Sequence, residues 1–362
     1  MEKKSKVFVG VSGGVDSSVA LALLQKEGYD VTGVFLKVWS PDFLPCDWKE
    51  ERRSAMRVCA TLGVPFLTFD FQDEYKKEVV DYMIREYTNG RVPNPDVFCN
   101  KYVKFGVFLK KALSMGADHI ATGHYARVYK KDGVFELKES VDSNKDQSYF
   151  LYTLGQEELS HTLFPVGNMT KPEVRSLARK FKLPTAEKKD SQGLCFIGKI
   201  DMKDFLSHYI KSKKGNVLNT KGKIVGEHDG AMFYSIGQRH GFTITEKTPL
   251  DKRFFVISKD IEKNIITVAD KESESDSVYS TREIIIFELH FISGNTPKLP
   301  IKTSVRIRYR QEKQNCTLDK KSDGYHIVFD ESQNGVSVGQ SAVLYDGEIC
   351  LGGGIIEKTI SF

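Results

Sequence analysis

Three observations predict an α/β protein built in three parts. Apolar runs alternate with helix-patterned stretches through the first half of the chain. After about residue 205 the segments become short and punctuated by glycine, and from about residue 280 alternating β-branched runs dominate. Continuous apolar strands separated by helices are the pattern of a parallel sheet covered on both faces. Short alternating strands point to a compact barrel or sandwich. The expected division is a parallel-sheet domain over 1–205, a small linking domain over 206–275 and a β-barrel-like domain over 276–362.

The elements follow in order. Lys6 to Val11 is a first apolar strand, broken by Ser12-Gly13-Gly14. Ser17 to Lys26 reads as a helix ended by Gly28, where a left-handed cap costs little. Val31 to Val38 is a second strand. Lys49 to Leu62 is a helix stopped by Gly63, Pro65 to Phe71 a third strand and Glu74 to Thr88 a third helix. Tyr102 to Met115 reads as the next helix and His119 to Thr122 as the next strand. In the second half, Phe254–Val256, Ile265–Val268, Ile284–Ile286, Thr303–Tyr309, His326–Phe329 and Ser341–Tyr345 are strand-like.

Composition excludes several classes. The chain has 362 residues, 40% hydrophobic and 28% charged, so it is globular and not disordered. Fifty-three Lys and Arg against 48 Asp and Glu leave +5, too little for a histone-like polycation but compatible with a local basic patch. Six cysteines without CxxC or zinc-finger spacing suggest neither a disulfide scaffold nor a metal centre. No apolar run approaches the roughly 18 residues of a membrane helix, and the charged start Met1–Lys6 does not lead into a signal-peptide core. A cytoplasmic protein with free thiols is expected.

Gly10-Val11-Ser12-Gly13-Gly14-Val15-Asp16-Ser17-Ser18 joins the first strand to the first helix. Ligands of open α/β sheets bind outside the carboxyl ends of strands. Glycines let the backbone approach closely, the helix N-terminus favours an anion, and Ser12, Ser17 and Ser18 add hydroxyls. The plain alternative is a tight turn with Ser17 as helix cap. The string is neither a Walker sequence nor GxGxxG. It resembles the PP-loop of the ATP pyrophosphatase superfamily, which adenylates a substrate and releases pyrophosphate.

Two cysteines stand in special settings. Cys99 follows Pro93-Asn94-Pro95-Asp96, near the start of a helix and beside Lys101 and Lys104. Both a helix N-terminus and neighbouring lysines lower a thiol pKa, and Asp96 offers an acid or base. Cys195 lies between Gly193 and Gly198, after Lys189. Burial as a small hydrophobe remains the alternative for both and is the expectation for Cys46, Cys59, Cys316 and Cys350. Two loop thiols beside an adenylating loop suggest sulfur transfer, one carrying a persulfide and the other resolving it. Adenylation converts a poor oxygen leaving group into AMP.

The strings Asn94-Pro95-Asp96-Val97-Phe98-Cys99-Asn100, Thr122-Gly123-His124-Tyr125-Ala126-Arg127, Lys145-Asp146-Gln147-Ser148-Tyr149, Asp190-Ser191-Gln192-Gly193-Leu194-Cys195-Phe196-Ile197-Gly198, Tyr234-Ser235-Ile236-Gly237-Gln238-Arg239 and Gly339-Gln340-Ser341-Ala342-Val343 complete the picture. Together with the glycine loop, and in this order, they make essentially the whole chain resemble the bacterial tRNA-specific 2-thiouridylases. The resemblance implies an ATP-dependent enzyme that thiolates the wobble uridine of lysine, glutamate and glutamine tRNAs. ATP with Mg²⁺ would be a substrate, and no resident cofactor is expected. Gly10, Val11, Ser12, Gly13, Gly14, Val15, Asp16 and Ser17 would hold ATP, with Leu36 and Gly123 beside the adenosine. Asn94, Pro95 and Asp96 would contact the target base, with Asp96 as acid or base. Cys195 would accept persulfide sulfur from a cysteine desulfurase or relay protein, and Cys99 would be its partner in a transient disulfide. His124, Lys145, Asp146, Gln147, Arg308, Tyr309 and Gln340 would contact the anticodon arm. A monomer is expected. Val92, Leu36, Val338 and Leu344 depart from the family's common Thr, Met, Pro and Phe without removing a reactive group.

One strand bears on RNA independently. Two-residue alternation over 305–310 puts Arg306, Arg308 and Arg310 on one face, where a phosphate backbone would relieve their repulsion. Solvated arginines are the alternative. Two other functions compete with this one: a PP-loop synthetase for a small metabolite, which needs neither thiol, and a non-catalytic RNA-binding or sulfur-carrier protein, which needs no intact loop.

Overall fold

The structure is a computed structural model that describes residues 4–43, 48–189, 201–245, 253–270 and 280–361. Cys46 and the Asp190–Gly198 string with Cys195 lie outside the described residues. The first strands form a parallel sheet: β1 (Lys6–Gly10), β2 (Asp30–Lys37), β3 (Phe66–Asp70), β4 (His119–Ala121) and β7 (Thr162–Leu163), in the order β3-β2-β1-β4-β7. Alternation sorts the side chains. Val7, Val9, Val31 and Phe35 face α1 (Val15–Lys26) and α2 (Trp48–Leu62), while Phe8, Val34, Leu36 and Phe69 face α3 (72–88) and α4 (95–114). Burying each such side chain contributes about 1.5–3 kcal/mol. The chain steps from β1 outward to β3, then returns to place β4 on the other side of β1. The crevice between β1 and β4 is therefore the switch point, where an open α/β sheet receives its ligand.

Helix α4 begins seven residues before the expected Tyr102. Asn94 is its cap, accepting from the Val97 amide at 3.4 Å, Pro95 is its first residue and Asp96 supplies the first-turn carboxylate. Proline suits that position because it has no amide to leave unpaired. The turns from Cys99 to Val107 are wound wider, as a π-helix, a distortion frequent at functional sites.

The third part is a closed antiparallel barrel, whose pairing runs β13 (Thr281–Phe291), β16 (Gly324–Gln333), β15 (Gln314–Lys321), β14 (Ile301–Arg306), β17 (Ser341–Asp346) and β18 (Ile349–Ser361), which returns to β13. Closure removes the exposed edges of the sheet. A hairpin of β5 (Ala126–Lys131) and β6 (Val134–Glu139), from within the first sequence domain, joins this sheet through Leu137 opposite Cys350. Between them, β8 (Gly215–Leu218), β9 (Ile224–His228), β10 (Thr243–Ile244), β11 (Phe254–Asp260) and β12 (Ile265–Asp270) form a small separate sheet around Val217, Val256, Ile266 and Val268. Among the described residues no helix is long and apolar enough to cross a membrane.

The arginine strand differs from expectation. β14 stops at Arg306, and Gln311 closes a turn there: its amide donates to the Arg308 carbonyl and its side-chain oxygen accepts from Ile307. Arg310 adopts φ of 62°. Arg306 is largely buried in ion pairs with Glu139 and Asp146, both at 2.8 Å. Only Arg308 and Arg310 are exposed, so three arginines do not share one solvent face.

Candidate active site

The glycine loop lies at the carboxyl end of β1. Gly13 has φ of +74°, and a Cβ there would stand 2.6 Å from the Glu51 carbonyl oxygen of α2. Gly14, not Ser17, caps α1. Ser17 lies inside the first turn, where its Oγ accepts from the Ser12 amide at 3.2 Å and donates to the Gly14 carbonyl at 3.3 Å. Ser18 is fully buried and its hydroxyl donates to the same carbonyl at 2.7 Å. Ser12 remains exposed. The loop is thus held from within, with the helix N-terminus behind it.

The string Thr122–Tyr125, at the end of β4, joins this loop to the other motifs. Gly123 lies against the first turn of α1, so close that a Cβ would stand 2.5 Å from the Ser17 amide nitrogen. His124 reaches the other way. Its Nε2 lies 3.5 Å from Lys104 Nζ on α4, and its Nδ1 is 2.7 Å from Thr122 Oγ1. An ammonium only donates, so Nε2 accepts and Nδ1 carries the proton. Burial, reinforced by the Lys104 charge, holds the imidazole well below its ordinary pKa and keeps it neutral. Tyr125 donates its hydroxyl to Asp16 Oδ1 at 2.8 Å. Its amide donates to Gln147 Oε1 at 3.0 Å, and its carbonyl accepts from the Gln147 amide at 2.8 Å. Four consecutive residues therefore tie the glycine loop, the Cys99 helix and the Lys145–Gln147 loop together.

Asn94, Pro95 and Asp96 are half-buried at the start of α4, and Cys99 is fully buried one turn on. Leu36 is buried at the end of β2. The remaining described cysteines, Cys59, Cys316 and Cys350, are buried too, and burial pushes their thiols up, to about 11 for Cys59 and about 12 for Cys316. Such thiols stay protonated and poorly nucleophilic.

The Lys145–Gln147 loop meets the barrel. Asp146 is 5% exposed. Its carboxylate accepts from the Ser140 and Ser148 amides, the Ser148 hydroxyl and Arg306 at 2.8–3.2 Å. Burial still pushes its pKa up. That carboxylate is spent on holding the loop to the barrel. Tyr309 packs against Phe150 with ring centroids 4.5 Å apart, and Arg308 donates to the Gly335 carbonyl from an exposed position. Gln340 donates to the Val92 and Pro93 carbonyls.

Two lysines at the glycine loop were missed in the sequence. Lys171, at the start of α5 (Lys171–Lys180), is buried with its ammonium 2.6 Å from Asp16 Oδ1. Lys188 donates to the Gly13 carbonyl at 3.0 Å. Neither is near the loop in sequence. The one readable signal was the capping box Thr170/Glu173, which marks the helix start beside Lys171. Among the described residues no cluster of His, Cys, Asp and Glu has metal-site character.

The chain matches three family models in succession: a tRNA methyl transferase HUP domain over residues 5–199, a tRNA methyl transferase PRC-barrel domain over 203–270 and an aminomethyltransferase beta-barrel domain over 281–356. It is 45% identical over 359 residues to the tRNA-specific 2-thiouridylase MnmA of Stutzerimonas stutzeri, covering 98% of this chain and 95% of that one. It is 44% identical to the tRNA-specific 2-thiouridylase MnmA 2 of Geobacillus kaustophilus, with the same coverage. A solved structure of a U34-tRNA thiolase from Methanococcus maripaludis aligns over 56% of this chain and 63% of that one at 17% identity and a TM-score of 0.35, too slight a likeness to carry weight.

Proposed function

Because the chain belongs to the tRNA-specific 2-thiouridylase family, we propose the following course for its reaction, the ATP-dependent thiolation of a tRNA uridine. The wobble uridine of lysine, glutamate and glutamine tRNAs enters beside Asn94, Pro95 and Asp96. ATP lies along Gly10–Ser17, bordered by Leu36 and Gly123, and Mg²⁺ enters with its phosphates as part of the substrate. The helix N-terminus and exposed Ser12 meet the phosphate charge, while Lys171 neutralises Asp16, which would otherwise repel it. The uracil O2 attacks the α-phosphorus, the bond to the β-phosphate breaks, and pyrophosphate leaves. Asp96 takes or returns the proton that moves on and off the base.

Sulfur arrives as a persulfide on Cys195, delivered by a cysteine desulfurase or a relay protein. Its terminal sulfur attacks C2, and the C2–O bond breaks to release AMP. Cys99 then attacks the Cys195 sulfur, leaving the thiocarbonyl on the base and closing a Cys99–Cys195 disulfide. A cellular thiol reduces that disulfide before the next turnover. Burial of Cys99 suits this role, since it keeps the thiol from solvent oxidants. The wobble base must leave its stack to reach the site. Lys145, Gln147, Arg308, Tyr309 and Gln340 hold the anticodon arm, with His124 beside the nucleotide and Asp146 acting through Arg306. The enzyme works as a cytoplasmic monomer.

The observation that carries this reading is the Thr122–Tyr125 junction, which joins an ATP loop to the helix bearing Asp96 and Cys99. The test is incubation with unmodified tRNA, ATP, Mg²⁺ and a persulfide donor, followed by mass spectrometry of the digested tRNA. AMP, pyrophosphate and 2-thiouridine are expected. Their absence with all three tRNAs overturns the reading. Arg308→Ala should weaken tRNA binding and make the plot of log affinity against log salt shallower by about one unit, as for one lost phosphate contact. An unchanged slope removes Arg308 from the interface.

A further inference from the structure

The segment 90–94, which leads into the base-contacting residues and then Cys99, is gripped from outside the parallel-sheet domain. Arg91 makes a two-pronged ion pair with Glu357 of β18, at 2.6 and 2.9 Å, and a second pair with Glu86 at 2.6 Å. The Val92 amide donates to the Val338 carbonyl at 2.9 Å, and Gln340 returns a bond to the Val92 carbonyl at 3.1 Å. Gly339, at φ of +94°, lies so near that a Cβ would stand 2.8 Å from the Val92 nitrogen and 3.0 Å from its oxygen. From the other side, a Cβ on Gly90 would run into Ile261 of the central domain. The hydroxyl of Tyr149 donates to the Ser341 carbonyl of β17 at 2.9 Å.

These contacts converge on a segment of five residues. A two-pronged Arg–carboxylate pair fixes angle as well as distance, and a backbone bond on each side of Val92 fixes its rotation. Asn94 caps α4, so the placement of 91–94 sets where α4 starts, and with it the positions of Asp96 and Cys99. A misplacement on the order of 1 Å costs about a hundredfold in a reaction that depends on alignment.

Resting on the thiolase reading above, we propose that Glu357 and Gly339 of the barrel are positioning residues for catalysis. They clamp Arg91–Val92 and so align Asp96 and Cys99, and the barrel acts on the chemical step as well as on tRNA binding.

The test uses the full chain with unmodified tRNA and a persulfide donor, measuring kcat for thiolation, KM for ATP, tRNA affinity and the thermal midpoint. Glu357→Gln keeps the shape but loses the charge. It should lower kcat about tenfold with tRNA affinity within about twofold of wild type, and KM for ATP unchanged. Glu357→Asp, which keeps the negative charge facing Arg91, should retain most of the rate. Gly339→Ala should lower kcat further. The proposal is overturned if Glu357→Gln keeps wild-type kcat, if its loss of rate only follows lost tRNA affinity or lost folded protein, or if Glu357→Asp loses as much as Glu357→Gln. Failure of the thiolase reading is told apart from these, because then the wild-type chain itself makes no 2-thiouridine.

Discussion

Cys99→Ser is expected to accept persulfide sulfur on Cys195 at the wild-type level and yet make no 2-thiouridine. Serine is close in volume to cysteine, so a fully buried site keeps its packing at small cost. The hydroxyl does not ionise near neutrality and does not displace a thiolate from a sulfur–sulfur bond, so thiolation should fall by about a thousandfold or more. Adenylation, read as tRNA-dependent pyrophosphate release, should persist. Radiolabelled sulfur transfer from a desulfurase separates the two steps, with Cys195→Ser as the variant that takes up no label. Cys59→Ser, Cys316→Ser and Cys350→Ser are the controls. Their thiols are pushed up by burial, and none should change the rate per folded molecule. Wild-type turnover by Cys99→Ser would remove Cys99 from the reaction.

Gly13→Ala should disable the ATP step without unfolding the protein. An alanine at φ of +74° is strained by about 1–2 kcal/mol. Its Cβ would also press on the Glu51 carbonyl at 2.6 Å and Ser54 Cβ at 2.9 Å. Helix backbone does not give way as a flexible side chain would, so the loop must move. Its carbonyl is the acceptor for both Ser54 and Lys188, and those bonds would shift with it. With the amides displaced from the phosphates, kcat/KM for ATP should fall about a hundredfold. Gly28→Ala is the matched control. It has φ of +94° with nothing within 4 Å of the added carbon, and should lower the thermal midpoint slightly while leaving KM for ATP alone. Equal effects from the two substitutions would show that backbone strain, and not the fit against α2, explains the loss.

Much of the site was legible because its chemistry sits in contiguous strings. Ser12-Gly13-Gly14 after an apolar strand announces a turn at the carboxyl end of a sheet, and the structure has it there, at the switch point between β1 and β4. Asn94-Pro95-Asp96 is a helix start, yet apolar patterning begins that helix only at Tyr102, seven residues late. Lys171 was invisible because its partner Asp16 is 155 positions away. Arg91 and Glu357 are separated by 266, and nothing local marks either as half of a pair. The Arg306–Arg310 reading failed for a related reason. Alternation says which residues share a face but not what covers that face, and at Arg306 the carboxylates of buried Asp146 and half-buried Glu139 cover it.

The fold class and the family were readable from residue type and short spacing alone, which also picked out the glycine loop, Cys99 and Cys195 as the candidate site. Which charged groups are consumed inside the protein becomes visible in the folded chain alone. It spends Asp146 and Arg306 on the seam with the barrel, sets Lys171 against Asp16, and hangs the segment before Asn94 between domains that the chain visits far apart. The reason is physical: periodicity and propensity act over a few residues, whereas an ion pair or a close glycine contact exists only once distant parts of the chain have closed on one another.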